Sequence, residues 1–194
     1  ERPGPALSVE EQVALIAACP ERIRDLMLAA LDTGCRMGEL LRLEWQDVDL
    51  VQARLTVRKS KSAKSRVVPL TTRLRQRLED LKKHRIVPME GPDRVFSHIS
   101  ATWSGKDARF FKTAAKAVGH PDLRPHDLRH QAAVNLVRAG VPLPDVARWL
   151  GHSRNSLTVT MRYARHAPRN ASEAALTLLE ARLLDAPQAT ATSS

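Results

Sequence analysis

Only one stretch of this chain has the texture of a sheet, and the sequence on either side of it has the period of helices. "ARLTVRKS" and "SRVVPL" carry β-branched residues and are joined by "KSAK", a strand–turn–strand pattern over residues 53–70. Helical signals surround it. "ALSVEEQVALIAAC" opens with Ser8 as N-cap and Glu11 three residues on, a capping box. "ERIRDLMLAALDTGC" sets Ile23, Leu26, Met27 and Ala30 on one face and stops at Gly34. "RMGELLRLEWQDVDL" begins a short helix that packs Leu40, Leu41 and Leu43. After the hairpin come "TRLRQRLEDLKKHR", "GKDARFFKTAAKAVG", "HDLRHQAAVNLVRAG" and "PLPDVARWLG", the last three stopped by Gly119, Gly140 and Gly151, with "RVFSH" as a short apolar strand or turn between them. "SLTVTMRYAR" and "NASEAALTLLEARLLD" read as two further helices. The fold class expected is mainly α with a small antiparallel β-sheet (α+β). Residues 1–185 form one domain, and 186–194, "APQATATSS" after its Asp185, form a disordered tail.

Charge narrows the function. Lys plus Arg total 31 against 21 acids, a net of +10, in a chain of 194 residues. Six basic residues and no acid lie between Arg54 and Arg66. A surplus of this size points to a polyanionic partner. Aromatic residues are only 4%, which disfavours the stacking of single-stranded bases and leaves the duplex backbone as the better fit. A run of lysines also protects a sheet edge, so the hairpin alone does not decide between edge and phosphate contact. No apolar run approaches the roughly 20 residues needed to cross a bilayer. The start, "ERPGPALSVEEQ", has no apolar core of a signal peptide and no initiator Met, which suggests a piece of a longer protein. Cys19 and Cys35 make no disulfide framework and are expected as reduced thiols in or near the core.

"RPHDLRH", residues 124–130, poses the chemical question. His126 and His130 are spaced to share a zinc ion on one helix face. That reading lacks a third ligand, has Asp127 where a hydrolytic motif wants Glu, and sets Arg129 beside the metal as an opposing cation. The other reading is phosphate. Arg129 is permanently charged and can grip two oxygens, with His126 on the same face in the first turn after Pro125. H-x-x-R alone is a weak signal, but it has company. Upstream is "LDTGCRMGELLRLEW", then "KSAKSRVVPL", and downstream "WLGHS" and "MRYARH".

This ordered set resembles the tyrosine recombinases, the phage-integrase family, over residues 8–167. Members carry T-G-x-R-x-x-E-L, a hairpin lysine, H-D-L-R-H, L-G-H and a tyrosine. The resemblance implies the catalytic domain of a site-specific recombinase from a phage or mobile element, cleaving and rejoining duplex DNA through a 3′-phosphotyrosine, with neither cofactor nor metal. It implies Arg36 and Arg129 on the non-bridging phosphate oxygens, Lys61 as general acid, His126 as the proton acceptor for Tyr163, His152 on a phosphate oxygen, and Tyr163 as nucleophile. Lys59, Lys64 and Arg66 are the expected DNA contacts, and His130 a structural helper. A type IB topoisomerase-like strand transferase and a catalytically inactive DNA-binding module are the alternatives. Members usually carry an N-terminal helical DNA-binding domain. Without it, this chain is expected as a monomer that binds duplex weakly, whereas the full-length protein would form a tetramer on recombining DNA in the bacterial cytoplasm or nucleoid.

Glu39 is expected as a structural partner of a basic group, and Trp45, Trp149, Phe110 and Phe111 as core. His84, His98, His120 and His166 have no motif support. The path from His152 to Tyr163 is a residue or two longer than in most relatives, which places a loop at Arg154 and Asn155 before a helix starting near Ser156. The added slack implies that Tyr163, without DNA, need not point at the site, while the basic groups still converge.

Overall fold

One helix runs through the middle of the molecule and the other elements pack around it. The structure is a computed structural model that describes residues 6–58, 65–100, 102–151 and 163–166. The central helix is α2, Glu21–Thr33, which contacts α1 (Val9–Ala18), α3 (Met37–Leu41), α4 (Thr72–His84), α5 (Gly105–Ala117) and α6 (Pro125–Arg138). Its sequence explains the place: Ile23, Leu26, Met27, Leu28, Ala29, Ala30 and Leu31 are all buried, so the helix is apolar on nearly every side. Each such leucine or isoleucine removed from water contributes about 2 kcal/mol. α7, Leu143–Leu150, packs on α6 and on the sheet.

The local signals act where the sequence places them. Ser8 accepts from the Glu11 amide while the Glu11 carboxylate accepts from the Ser8 amide, completing the capping box of α1. Leu40, Leu41, Leu43, Trp45 and Phe111 are buried, Phe110 and Trp149 pack against the core, and both cysteines are buried free thiols. An amide relay joins α1 and the segment before it to α6. Gln131 accepts from the Leu7 amide at 2.7 Å, and Asn135 donates to Gln12 at 2.8 Å. The expected helix from Ser156, the loop at Arg154 and Asn155, the final helix and the tail lie outside the described residues.

The sheet has three strands where the sequence suggested two. β1 (Val48–Asp49), β2 (Arg54–Val57) and β3 (Arg66–Pro69) run antiparallel in that order, with Val48 opposite Leu55, Leu55 opposite Val68, and Val57 opposite Arg66. β1 is too short to show an alternating pattern of its own. "RVFSH" is a turn, anchored by a single bridge from Arg94 to Glu44, with Val95 and Phe96 buried.

Among the described helices, α2 and α7 both end on a glycine in the left-handed conformation: Gly34 at φ 63° and Gly151 at φ 69°. At Gly34 space is limiting as well as φ. A Cβ there would stand 2.6 Å from Leu150 Cδ2 and 3.1 Å from Ala132 Cβ. Gly140 also has positive φ, but a Cβ there would meet nothing within 4 Å. Gly34→Ala should therefore add overpacking to the left-handed penalty and destabilise by about 2–5 kcal/mol, against about 1–2 for Gly140→Ala. Urea unfolding of the two variants measures the difference.

Candidate active site

The ends of α2 and α7 lie close together, and each exposes carbonyls that no helix can satisfy. Side chains from elsewhere satisfy them. Arg129 donates through Nη1 to the Gly34 carbonyl at 2.7 Å and through Nη2 to the Leu150 carbonyl at 2.6 Å. Trp149 Nε1 donates to the Thr33 carbonyl at 2.9 Å, and Arg66 Nε donates to the Trp149 carbonyl at 2.9 Å. A cation at a helix C-terminus is favoured by the helix dipole, and Arg129 serves two such ends at once. Its side chain is buried, and burial first, then the charge of Arg36, lowers its pKa to about 10, so it stays protonated at neutral pH. Arg36 follows Gly34 by two residues, so Arg129 reaches the segment that presents Arg36.

The opening of α6 matches the sequence in part. Arg124 is the N-cap, its amide donating to Asp127 at 2.8 Å, and Pro125 takes the first helical position. His126 is exposed in the first turn. Arg129 lies one turn further along and is directed into the junction rather than at the helix start.

Glu39 accepts four hydrogen bonds from two arginines. Its Oε1 accepts from Arg36 Nη1 at 3.1 Å and Arg66 Nη1 at 3.0 Å; its Oε2 accepts from the Arg36 amide at 2.8 Å and Arg66 Nη2 at 2.7 Å. Burial alone would raise the carboxyl pKa, but the hydrogen bonds and charges of Arg66 and Arg36 outweigh it and hold it at about 2. The sequence reading of Glu39 as a structural partner matches this geometry. Arg66 corrects another reading. Expected as a DNA contact, it is buried, with its fork on Glu39 and its Nε on Trp149. A guanidinium whose charge is met by a carboxylate has little to offer a phosphate, whereas Arg129, bonded to neutral carbonyls, keeps its charge. Strand alternation carries the signal that was missed: Arg66 shares a face with Val68 and Leu70, both buried. Arg36 keeps a side chain that is 48% exposed, so its guanidinium faces outward while Glu39 holds one end of it.

Tyr163 lies in a second apolar cluster with Ala133, Val134, Val137, Val146 and Leu150, and is only 5% exposed. Its hydroxyl bonds His130 Nδ1 at 2.5 Å. His130 in turn meets His126 edge-on, ring centroids 4.9 Å apart. The imidazole at the phenol is thus His130, one helical turn beyond the expected His126. The i, i+4 spacing that first suggested a metal places the two rings in contact. His84, His98 and His120 hold structural partners instead: the Asp80 carbonyl, the Arg22 carbonyl and the Glu11 carboxylate. Lys59, Lys61, Lys64 and His152 lie outside the described residues.

Comparison with known proteins identifies the family and the fold. The phage integrase family matches residues 6–170. Tyrosine recombinase XerC of Roseiflexus sp. (strain RS-1) is 32% identical over 166 residues, covering 80% of this chain and 52% of the relative. The crystal structure of XerA recombinase superposes with a TM-score of 0.72 at 27% identity, over 92% of this chain and 65% of that one. The catalytic domain of bacteriophage HP1 integrase shares the fold, TM-score 0.63 at 23% identity, over 98% of this chain and 99% of that one. The chain spans about half the length of the curated relatives it matches.

The Glu39 pairing carries a pH signature. Its carboxyl ionises near 2 folded and 4.5 unpaired, so the stabilisation is fully present above 4.5 and is lost as pH falls toward 2. Glu39→Gln strands the buried Arg66 charge and should cost about 3 kcal/mol near neutral pH. That gap to the parent should shrink as pH falls from 4.5 toward 2, measured by denaturant unfolding across the range.

Proposed function

The chain belongs to the phage integrase family, and on that premise we propose that it is the catalytic domain of a site-specific DNA recombinase acting through a 3′-phosphotyrosine. The observation that carries the reading is the junction itself. Arg129 joins the turn before Arg36 to the turn before His152, on the same helix whose His130 holds the Tyr163 hydroxyl.

The chemistry follows from the residue types. The Tyr163 oxygen attacks a backbone phosphorus, and the bond from phosphorus to the 5′-oxygen breaks. The phenol has an unperturbed pKa of about 10 and passes its proton to an imidazole. His130 is already bonded to it, and His126 stands beside His130. The departing 5′-oxygen takes its electron pair and a proton from Lys61. Arg36, Arg129 and His152 meet the charge of the five-coordinate phosphate. The phosphotyrosine keeps the bond energy, so a 5′-hydroxyl of a partner strand reverses the step with neither nucleotide nor metal consumed.

Double-stranded DNA is the proposed partner, consistent with the net charge of +10. Recombination by the full-length protein would use a tetramer on paired sites in the bacterial cytoplasm or nucleoid. No helix among the described residues is long and apolar enough to cross a membrane. The topoisomerase-like and inactive alternatives fit less well, because the relatives above are named recombinase and integrase.

Incubation with a pool of randomised duplexes, each bearing a nick beside the scissile position, should yield a covalent protein–DNA adduct. Tyr163→Phe should abolish it, since the sequence holds no other tyrosine. Lys61→Ala should slow adduct formation about a hundredfold or more. Lys59→Ala with Lys64→Ala should instead flatten the salt dependence of binding by about two phosphate contacts. An adduct formed by Tyr163→Phe would sink the reading.

A further inference from the structure

Arg36 has a difficulty that the Glu39 geometry exposes. A guanidinium bonded to a carboxylate is part of a neutral pair, and a neutral pair has little charge to offer a phosphate. Glu39 lies on Arg36 through both its amide and its Nη1. Left alone with Glu39, Arg36 would be held on it by a charge-assisted contact. It is not left alone. Arg66 meets the same two carboxylate oxygens at distances as short or shorter, 3.0 and 2.7 Å against 3.1 and 2.8 Å for Arg36. Arg66 is 8% exposed at its side chain, whereas Arg36 is 48% exposed. The buried cation is therefore placed to balance the carboxylate, and the outward one remains in excess.

We propose that Arg66 is a positioning residue for strand cleavage: by taking the Glu39 charge in its fork it leaves Arg36 oriented by Glu39 but electrostatically free to meet the scissile phosphate. This rests on the recombinase reading above. Three further observations point the same way. The fork is bidentate, which fixes direction as well as charge. The third nitrogen of the guanidinium is tied to the Trp149 carbonyl, so Arg66 cannot follow Arg36 toward DNA. The side chain also lies directly on Gly151, where a Cβ would stand 3.0 Å from Arg66 Cδ and Nη1, so the turn leading to His152 is shaped around it. With Arg66 present, Arg36, Arg66 and Glu39 sum to one positive charge, exposed at Arg36. Without it they sum to zero.

This separates charge balance from mere packing, because removing the carboxylate should undo the loss of the cation. Single-turnover adduct formation is measured at saturating concentration on a duplex captured by the parent chain. Arg66→Met should cleave about a hundredfold more slowly at unchanged duplex affinity. Adding Glu39→Gln to Arg66→Met should bring the rate back to within about tenfold of the parent, because Arg36 then has no carboxylate to hold it. Arg66→Lys, which keeps the charge and drops the fork, should fall between them. Where Arg66→Met does not fold, the double variant, with neither buried charge, decides by itself. A folded double variant that cleaves a hundredfold more slowly than the parent, or no faster than Arg66→Met, overturns the inference. An inert parent chain removes the recombinase reading itself and this inference with it.

Discussion

Two helices end close together, and the carbonyls they leave unpaired set the demands that the surrounding residues meet. Each end turns on a left-handed glycine, and at Gly34 a side chain would collide with Leu150. The close approach buries polar oxygens, and burying them unpaired would cost about 1–3 kcal/mol each. Arg129, Trp149 and Arg66 remove that cost. The residues that hold the junction are therefore cations or their neighbours. The cluster of guanidiniums beside an exposed Arg36, the proposed phosphate site, is produced by the same contacts that hold the fold. Structure and proposed chemistry are not separable here: Arg129 is both the double cap and a proposed phosphate ligand.

The electrostatics need a counterweight, and Glu39 is it. Arg129 loses basicity to burial and to Arg36, whereas Glu39 works in the opposite direction on it. One half-buried carboxylate among three arginines keeps the cluster assembled without DNA and leaves it net positive. Tyr163 obeys a different logic. Its ring is in an apolar cluster with α6 and α7, and its hydroxyl meets His130. Apolar packing governs the proposed nucleophile and charge governs the proposed phosphate site. The two meet on α6.

Local chemistry was legible in the sequence. The Ser8–Glu11 capping box and the stops at Gly34 and Gly151 depend on neighbours a few residues away, and they stand where the pattern places them. The hairpin strands were legible for the same reason, while the two-residue β1 offered no period to detect. Arg66 was misread because a basic residue in a basic run suggests surface. Alternation points it inward with Val68, but the partner that makes its burial tolerable, Glu39, lies 27 residues earlier. The contact of His130 with the phenol was not legible because it depends on where Tyr163 packs, 33 residues downstream. Contacts of that kind are decided by the assembled core and not by spacing.

The most direct measurement is a crystal structure of the chain with a nicked duplex and orthovanadate, an ion that adopts the five-coordinate shape of a phosphate in transfer. The expected result is vanadium bound apically by the Tyr163 oxygen, its equatorial oxygens met by the guanidiniums of Arg36 and Arg129, with Arg66 still on Glu39. Vanadate bound away from Arg36 and Arg129, or Arg66 released from Glu39 and standing on the vanadate in place of Arg36, would contradict it.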